Sequence, residues 1–240
     1  MTSVRRRVPN GDVTPELQVD PFVASPRSRF AILALGCGLH ATAAFTGYLE
    51  LRTQVYTVQT EMLTAAELTY GIDIDDDDDR ATAFLVIENR DPRPVAVACV
   101  RVIERLGTDR RPLPADDLYG LGLEGAGVEV SRYIARLSDS ESQSRALIEL
   151  LRSTIAHIRR LGMDEHVYAI VEPPLERILR IMGVGVTRVA EPLWIDEYRG
   201  VNLAIQLDPV VSAANLGGLS EIDELDVSEG SVRFWGEVER

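Results

Sequence analysis

The chain has 240 residues, 45% of them hydrophobic and 26% charged, and a net charge of -13; this suffices for one sizeable domain and is too short for two of average size plus tails. Such acidity argues against sequence-independent nucleic-acid binding, which needs a cationic surface. All 25 basic residues are Arg, which excludes a P-loop lysine, a Schiff-base lysine and a lysine base.

Residues 1 to 28 are rich in Pro and turn formers and lack apolar periodicity, so they read as a flexible tail. The apolar run "FAILALGCGL" that follows is ten residues long, about half of the ~20 that a membrane-spanning helix needs. Flanked by "RSR" and "HATAA", it has a faint likeness to a secretory core, but it starts almost thirty residues in and is read as a buried strand over 29 to 36, with a cytoplasmic location expected.

The spacing of Phe45, Tyr48, Leu49, Val55, Tyr56, Met62 and Leu63 predicts one helix from about Ala41 to Ala66, and the same register places Arg52 on its apolar stripe. After the acidic turn "GIDIDDDDDR" come two strands, "ATAFLVIEN" and "VAVACVRVI", joined by the turn-forming "RDPRP". "GTDRRPLPADD" reads as a loop. A strand over 128 to 137 precedes a helix from about Glu141 to Leu161, whose apolar face is Leu147, Leu150, Leu151, Ile155 and Ile158. "HVYAIV" is a buried strand and "PPLERILRIMG" a short helix with Pro at its start and Gly at its end. "VTRVAEPLWI" and "RGVNLAIQLD" close a domain spanning 29 to 208, and residues 209 to 240 read as an acidic tail of low order. The order predicts a mixed α/β sheet with helices on its faces.

Cys37 and Cys99 lie far apart outside any CxxC, and His40, His157 and His166 share no metal-ligand spacing. No disulfide framework, structural zinc or tightly bound cofactor is therefore expected. Neither cysteine has the setting of a nucleophile, and neither His157 nor His166 is given a role. Charged residues on apolar elements are more informative: Arg52 on a helix stripe, Asp75 and Asp78 in the aspartate run, Arg101 inside a strand, and Glu129 with Arg132 inside "GVEVSRYIAR". A guanidinium facing a core is costly unless carboxylates meet it, so these residues are expected to form one buried network. A purely structural ion network fits the charges alone. The five consecutive aspartates by themselves read as a solvated loop, since a calcium loop's flanking Gly and Glu are missing.

"GVEVSRYIAR" resembles the E-x-S-R strand of the autoinducer synthases that make acyl-homoserine lactones, and of the related long-chain N-acyl amino acid synthases, both built on the GNAT acyltransferase fold. "LRTQVY" is similar to the family's helix in which Arg precedes an aromatic by four residues, here Arg52 and Tyr56. The family's D-x-x-D pair, six residues before a strand aromatic, falls on Asp75, Asp78 and Phe84, and its strand arginine on Arg101. "HVYAIVEPPLERILRIMGV" is similar to the family's penultimate strand and helix, ending at Gly183. The likeness runs from about Arg29 to Asp208.

The resemblance implies a GNAT-like fold and an N-acyltransferase that moves a fatty acyl group from a thioester to the amine of an amino acid or similar small acceptor. Glu129 and Arg132 become the candidate catalytic pair. Arg52, Tyr56, Asp75, Asp78, Phe84, Arg101, Ser131, Tyr133 and Ala169 become candidate substrate-binding residues, with Ala169 beside the acyl chain in the cleft between the strands 128 to 137 and 166 to 171. Two departures refine the expectation. Lactone synthases that use S-adenosylmethionine usually carry Trp where this chain has Met62, which leaves lactone synthesis as an alternative. "LSDSESQSRAL" lacks the Gly-rich turn that cradles coenzyme A, so an acyl carrier protein is the expected partner, docking on the arginines of the following helix. A non-catalytic acyl-carrier or lipid-binding relative is the reading from a different class. Glu129 and Arg132 have opposite parity on a regular strand; the implied fold has a bulge here that could re-aim one of them.

Overall fold

The computed structural model describes residues 28–36, 42–89, 94–196, 198–216 and 232–237; Cys37, His40 and the expected N-terminal tail lie outside them. Its strands are β1 (Ser28–Leu35), β2 (Ala81–Glu88), β3 (Val95–Arg105), β4 (Gly127–Ala135), β5 (Val167–Val171), β6 (Gly185–Arg188), β7 (Leu193–Ile195), β8 (Gly200–Asp208) and β9 (Val232–Glu237). The helices are α1 (Ala43–Gln54), α2 (Pro114–Tyr119), α3 (Ser140–Arg160), α4 (Pro173–Ile181) and α5 (Pro209–Asn215).

The strands form a mixed sheet in the order β6-β8-β5-β4-β3-β2-β1-β9, with β7 also pairing β8. β4 and β5 run parallel, and the other pairs among the described residues are antiparallel. One face carries α1 and α2: Ala31, Leu33, Leu85 and Cys99 pack against Phe45, Tyr48 and Leu49, while Ile103 packs with Leu113 and Ala115. On the opposite face Ile32, Phe84, Val100 and Val130 pack against Leu150, Ile155 and Ile158 of α3.

β4 pairs β5 only from Val128 to Val130, opposite Val167 to Ala169. Both strands then continue without pairing each other, β4 to Ala135 and β5 to Val171. The sheet opens there.

Helix ends follow local chemistry. Thr42 caps α1 by accepting from the Phe45 N–H at 3.2 Å, and Asp139 caps α3 by accepting from Ser142 N–H at 2.7 Å. Gly183 follows α4 at φ 88° with Asn215 2.9 Å from where a Cβ would stand, so both conformation and space require glycine.

Four expectations are corrected. The helix expected to reach Ala66 ends as α1 at Gln54 and continues only through a π-helical turn, Val55–Gln59; the β-branched Val55, Thr57, Val58 and Thr60 are weak helix formers, and Met62 and Leu63 lie beyond it. The expected loop after β3 contains α2, started by Pro114 and ended by Gly120 at φ 60°. "VTRVAEPLWI" forms two strands, β6 and β7, interrupted by "VAEP". The domain does not stop at Asp208. That residue caps α5 with Pro209 at its first turn, and β9 adds to the sheet edge beside β1.

Candidate functional site

The charged residues meet on the α1 face of the sheet. Arg52, wholly buried on α1, donates from Nε to Asp73 Oδ2 at 3.0 Å and from Nη1 to Asp78 Oδ1 at 2.6 Å and to the Tyr48 hydroxyl at 2.9 Å. Arg101 of β3 donates from Nη1 to Asp75 Oδ1 at 2.6 Å and to Asp78 Oδ1 at 2.9 Å, and from Nε to Ser131 Oγ at 3.0 Å. Arg132 places Nη2 3.3 Å from Asp73 Oδ1 and 3.4 Å from Asp75 Oδ2, and its guanidinium lies 5.0 Å over the Tyr56 ring. Three guanidinium groups thus meet three carboxylates, and the cluster is close to neutral. Asp75 is its wettest carboxylate, 35% exposed against 5% for Asp73 and 4% for Asp78. Burial works against the ionised form of Asp75, yet Arg101, Arg132 and Arg52 carry its pKa down to about 2.

The bulge is present and settles the parity of Glu129 and Arg132. Opposite Arg101 stands Ser131 and opposite Cys99 stands Ile134, so β4 holds one residue more than β3 between these pairs. Arg132 takes up the excess at φ 56°, a left-handed conformation that costs a non-glycine residue about 1–3 kcal/mol and persists only under several constraints. Here the constraints are Asp73, Asp75, the Tyr56 ring and the Cys99 thiol, which donates to the Arg132 carbonyl at 3.6 Å. As a result Glu129, Ser131 and Arg132 reach the same face, while Tyr133 turns to the other. The π turn that carries Tyr56 is the second irregularity at this place; such turns often mark functional sites.

Glu129 is 2% exposed and lies behind the start of α2, where its Oε2 accepts from the Ala115 N–H at 2.7 Å. Burial raises its pKa to about 7, against the opposing pull of that N–H and of Arg101. A carboxylate poised near neutrality is the group a proton-accepting site needs. Burial also raises the Cys99 thiol to about 12 and the Tyr56 phenol to about 12, so neither ionises near pH 7.

Three of the expected site residues stand elsewhere. Phe84 is buried on the α3 face, edge-on to His157 with ring centroids 5.7 Å apart. Tyr133 donates to the Leu147 carbonyl at 2.7 Å, and Ala169 lies in the α3-face core beside Val130. All three belong to the α3 face of the sheet, opposite the charges. His157, given no role from the sequence, is buried and bonded to Glu104 at 2.8 Å.

The sequence reading missed Asp73, Tyr48 and Tyr198. Asp73 lies two residues before the aspartate run and carried no periodic signal; Tyr48 was read as core, although its hydroxyl faces Arg52 one helical turn away. Tyr198, in the turn between β7 and β8, lies within electrostatic reach of Arg132, Glu129, Arg101 and Asp75. The run itself is a paired structure: Arg80 holds Asp77 at 2.5 Å and Arg111 holds Asp79 at 2.9 Å. Among the described residues no group of three or more His, Cys, Asp or Glu could hold a metal ion, and no helix is long and apolar enough to cross a membrane.

No protein-family model and no curated protein matches the chain. Solved structures do. The AHL synthase LasI is similar at 16% identity and TM-score 0.60, over 79% of this chain and 95% of that one. BjaI, a CoA-dependent acyl-homoserine lactone synthase solved with SAM and isopentyl-CoA, is similar at 16% identity and TM-score 0.60, over 78% and 90% of the two chains. TofI, solved in a ternary complex with an inhibitor and MTA, is similar at 22% identity and TM-score 0.55, over 75% and 90%. At these identities the likeness establishes the fold alone, the mixed α/β sheet with helices on its faces expected from the sequence.

Proposed function

We propose that this chain is an acyltransferase that moves a fatty acyl group from a thioester to the amine of an amino acid or similar small acceptor. The observation that carries the reading is a buried carboxylate poised near pH 7, Glu129, on the same face as Arg132 and Asp75 and on the strand that borders the opening of the sheet. An incoming ammonium must lose a proton before its nitrogen attacks, and Glu129 is the group suited to accept it. Asp75, the most exposed carboxylate of the cluster, suits a cationic nitrogen, and the arginine forks suit an acceptor carboxylate. The α3 side of the opening, with Tyr133, Ala169 and Val171, offers apolar surface for a plain acyl chain. No covalent acyl-enzyme is required.

An acyl carrier protein is the proposed donor. In a GNAT-like fold the start of the helix after β4 is where a diphosphate could meet free N–H groups. Here Asp139 already occupies that start as the cap of α3, with Glu141 in its first turn, so a second anion is disfavoured. Arg136 and Arg145 stand exposed nearby and suit an acidic carrier.

A second reading, lactone synthesis with S-adenosylmethionine as acceptor, is favoured by the fold shared with BjaI, which was solved with SAM, and disfavoured by Met62. Mass spectrometry of lipid extracts from bacteria expressing the chain, or its Glu129→Ala variant, separates the readings. N-acyl amino acids that vanish in the variant support the first and lactones the second; extracts free of both, with soluble protein in each culture, overturn acyl transfer.

A further inference from the structure

The turn between β7 and β8 is fixed at both ends of its short reach. Tyr198 N–H donates to the Ile195 carbonyl and Arg199 N–H to the Asp196 carbonyl, each at 3.1 Å. Arg199 adopts φ 49°, an uncommon conformation for a side chain of its size, and its Nη1 donates to the Glu61 carbonyl at 2.6 Å. That contact ties the turn to the segment between the π turn and Asp73, so the two strips of chain flanking the charged cluster are joined.

Tyr198 stands on the side of this turn that faces α2. It lines a cleft of about 270 Å³ with Asp77, Pro112, Pro114, Asp117, Leu118 and Ile195. Pro114 precedes the Ala115 whose N–H holds Glu129, so the cleft is bordered by the helix start that covers the candidate base. The phenol is half-buried and feels the charges of Arg132, Glu129, Arg101 and Asp75 together. Burial raises its pKa, so the hydroxyl stays neutral through the physiological range and offers one donor and two acceptor sites. No described group hydrogen-bonds that hydroxyl, whereas those of Tyr48 and Tyr133 both have partners.

An ammonium entering this site brings three N–H groups. Glu129 accounts for the proton that leaves and Asp75 for a second N–H. The third needs a neutral acceptor, because another carboxylate would hold the nitrogen in its protonated, non-nucleophilic form; of the two carboxylates in the cleft, Asp77 is held by Arg80 and Asp117 is exposed to solvent. Resting on the acyltransfer reading above, we propose that Tyr198 is an acceptor-binding residue, whose phenol oxygen takes one N–H of the incoming amine while the Arg199 clasp holds the turn in register. Glu129 then takes a proton from the ammonium, the freed nitrogen forms its bond to the thioester carbonyl carbon, and the carbon–sulfur bond breaks. The sulfur leaves as a thiolate and becomes a thiol with the proton lost by the new amide nitrogen. Tyr198 gives up no proton in this sequence.

Steady-state kinetics on the full chain tests the assignment, using an acyl-carrier-protein thioester and whichever amine the wild type turns over fastest among free amino acids and S-adenosylmethionine. Tyr198→Phe keeps the ring and its packing and removes only the hydroxyl. The expected result is an acceptor KM raised about tenfold or more, as for one hydrogen bond to a charged group, with the donor KM and melting temperature unchanged. Arg199→Ala, which keeps the hydroxyl and frees the turn, is expected to raise the acceptor KM by a smaller factor. Active wild type with an unchanged acceptor KM in Tyr198→Phe, or with both KM values raised alike, overturns the role of Tyr198 and leaves acyl transfer standing. Wild type that turns over no amine overturns the acyltransfer reading and this proposal with it.

Discussion

Glu129 and Arg132 lie three positions apart on β4 and reach the same face of the sheet, because Arg132 absorbs one extra residue at φ 56°. Without that bulge Arg132 would face α3, away from Asp73 and Asp75. Arg132→Ala is therefore expected to leave the fold intact, since the side chain is at the border of the core, and to lower kcat/KM for acyl transfer by 100-fold or more, by the scale of a lost charged group at a reacting centre. Kinetics beside circular dichroism of the same preparation checks both halves.

Arg52 makes the reverse prediction. It is wholly buried with Asp73 and Asp78 as its hydrogen-bonded charged partners, so Arg52→Met takes one of two guanidinium partners from each and leaves three carboxylates to Arg101 and Arg132; removing one member of such a network costs about 3–5 kcal/mol. The double variant Arg52→Met with Asp73→Asn should recover part of that loss. Urea unfolding of the wild type and the two variants gives the comparison; equal stability of all three would mean that the network contributes nothing to the fold.

The stability of the protein should respond to pH through the two perturbed carboxylates in opposite senses. Asp75 has its pKa depressed in the folded state from 3.8 to about 2, so its contribution is present above pH 4 and is lost as pH falls toward 2. Glu129 has its pKa raised from 4.5 to about 7. The folded state holds that proton more tightly, so stability declines as pH rises between those two values. Glu129→Gln, which keeps an oxygen for the Ala115 N–H, should therefore be more stable than wild type at pH 8 and gain little at pH 5. Urea midpoints at the two pH values check the sign.

Donor choice follows from the start of α3. With Asp139 capping it, acyl-CoA is expected to be a poorer donor than the same acyl group on a carrier protein, by at least tenfold in kcat/KM. Arg136→Glu with Arg145→Glu should weaken the carrier donor and leave acyl-CoA unaffected or improved. Equal use of both donors by the wild type would remove the carrier protein from the account.

The sheet, its helices and the meeting of Arg52, Arg101, Asp75 and Asp78 were legible because charges on apolar stripes must find one another. Other features left no periodic trace. A bulge is a single residue that alternation passes over, and the resemblance suggested it only for this strand, without saying which of Glu129 and Arg132 it re-aims. α2 hid in a stretch whose two prolines read as loop, although Pro114 opens the helix. Phe84, Tyr133 and Ala169 enter the candidate site through the resemblance, which does not say which face of the sheet they occupy, and the structure puts all three on the α3 face. Tyr198 is brought to the site by the pairing of β7 with β8, more than sixty residues after Glu129. No local pattern encodes such a contact.

Acyl transfer through Glu129 is tested most directly by the pH profile of kcat/KM, measured as thiol release from an acyl-carrier-protein thioester with the acceptor amine at low concentration. The account predicts a rise through an apparent pKa near 7 in the wild type, and in Glu129→Gln a rate lower by about 100- to 10,000-fold with that inflection gone. A Glu129→Gln variant with the wild-type rate and the same inflection would contradict it.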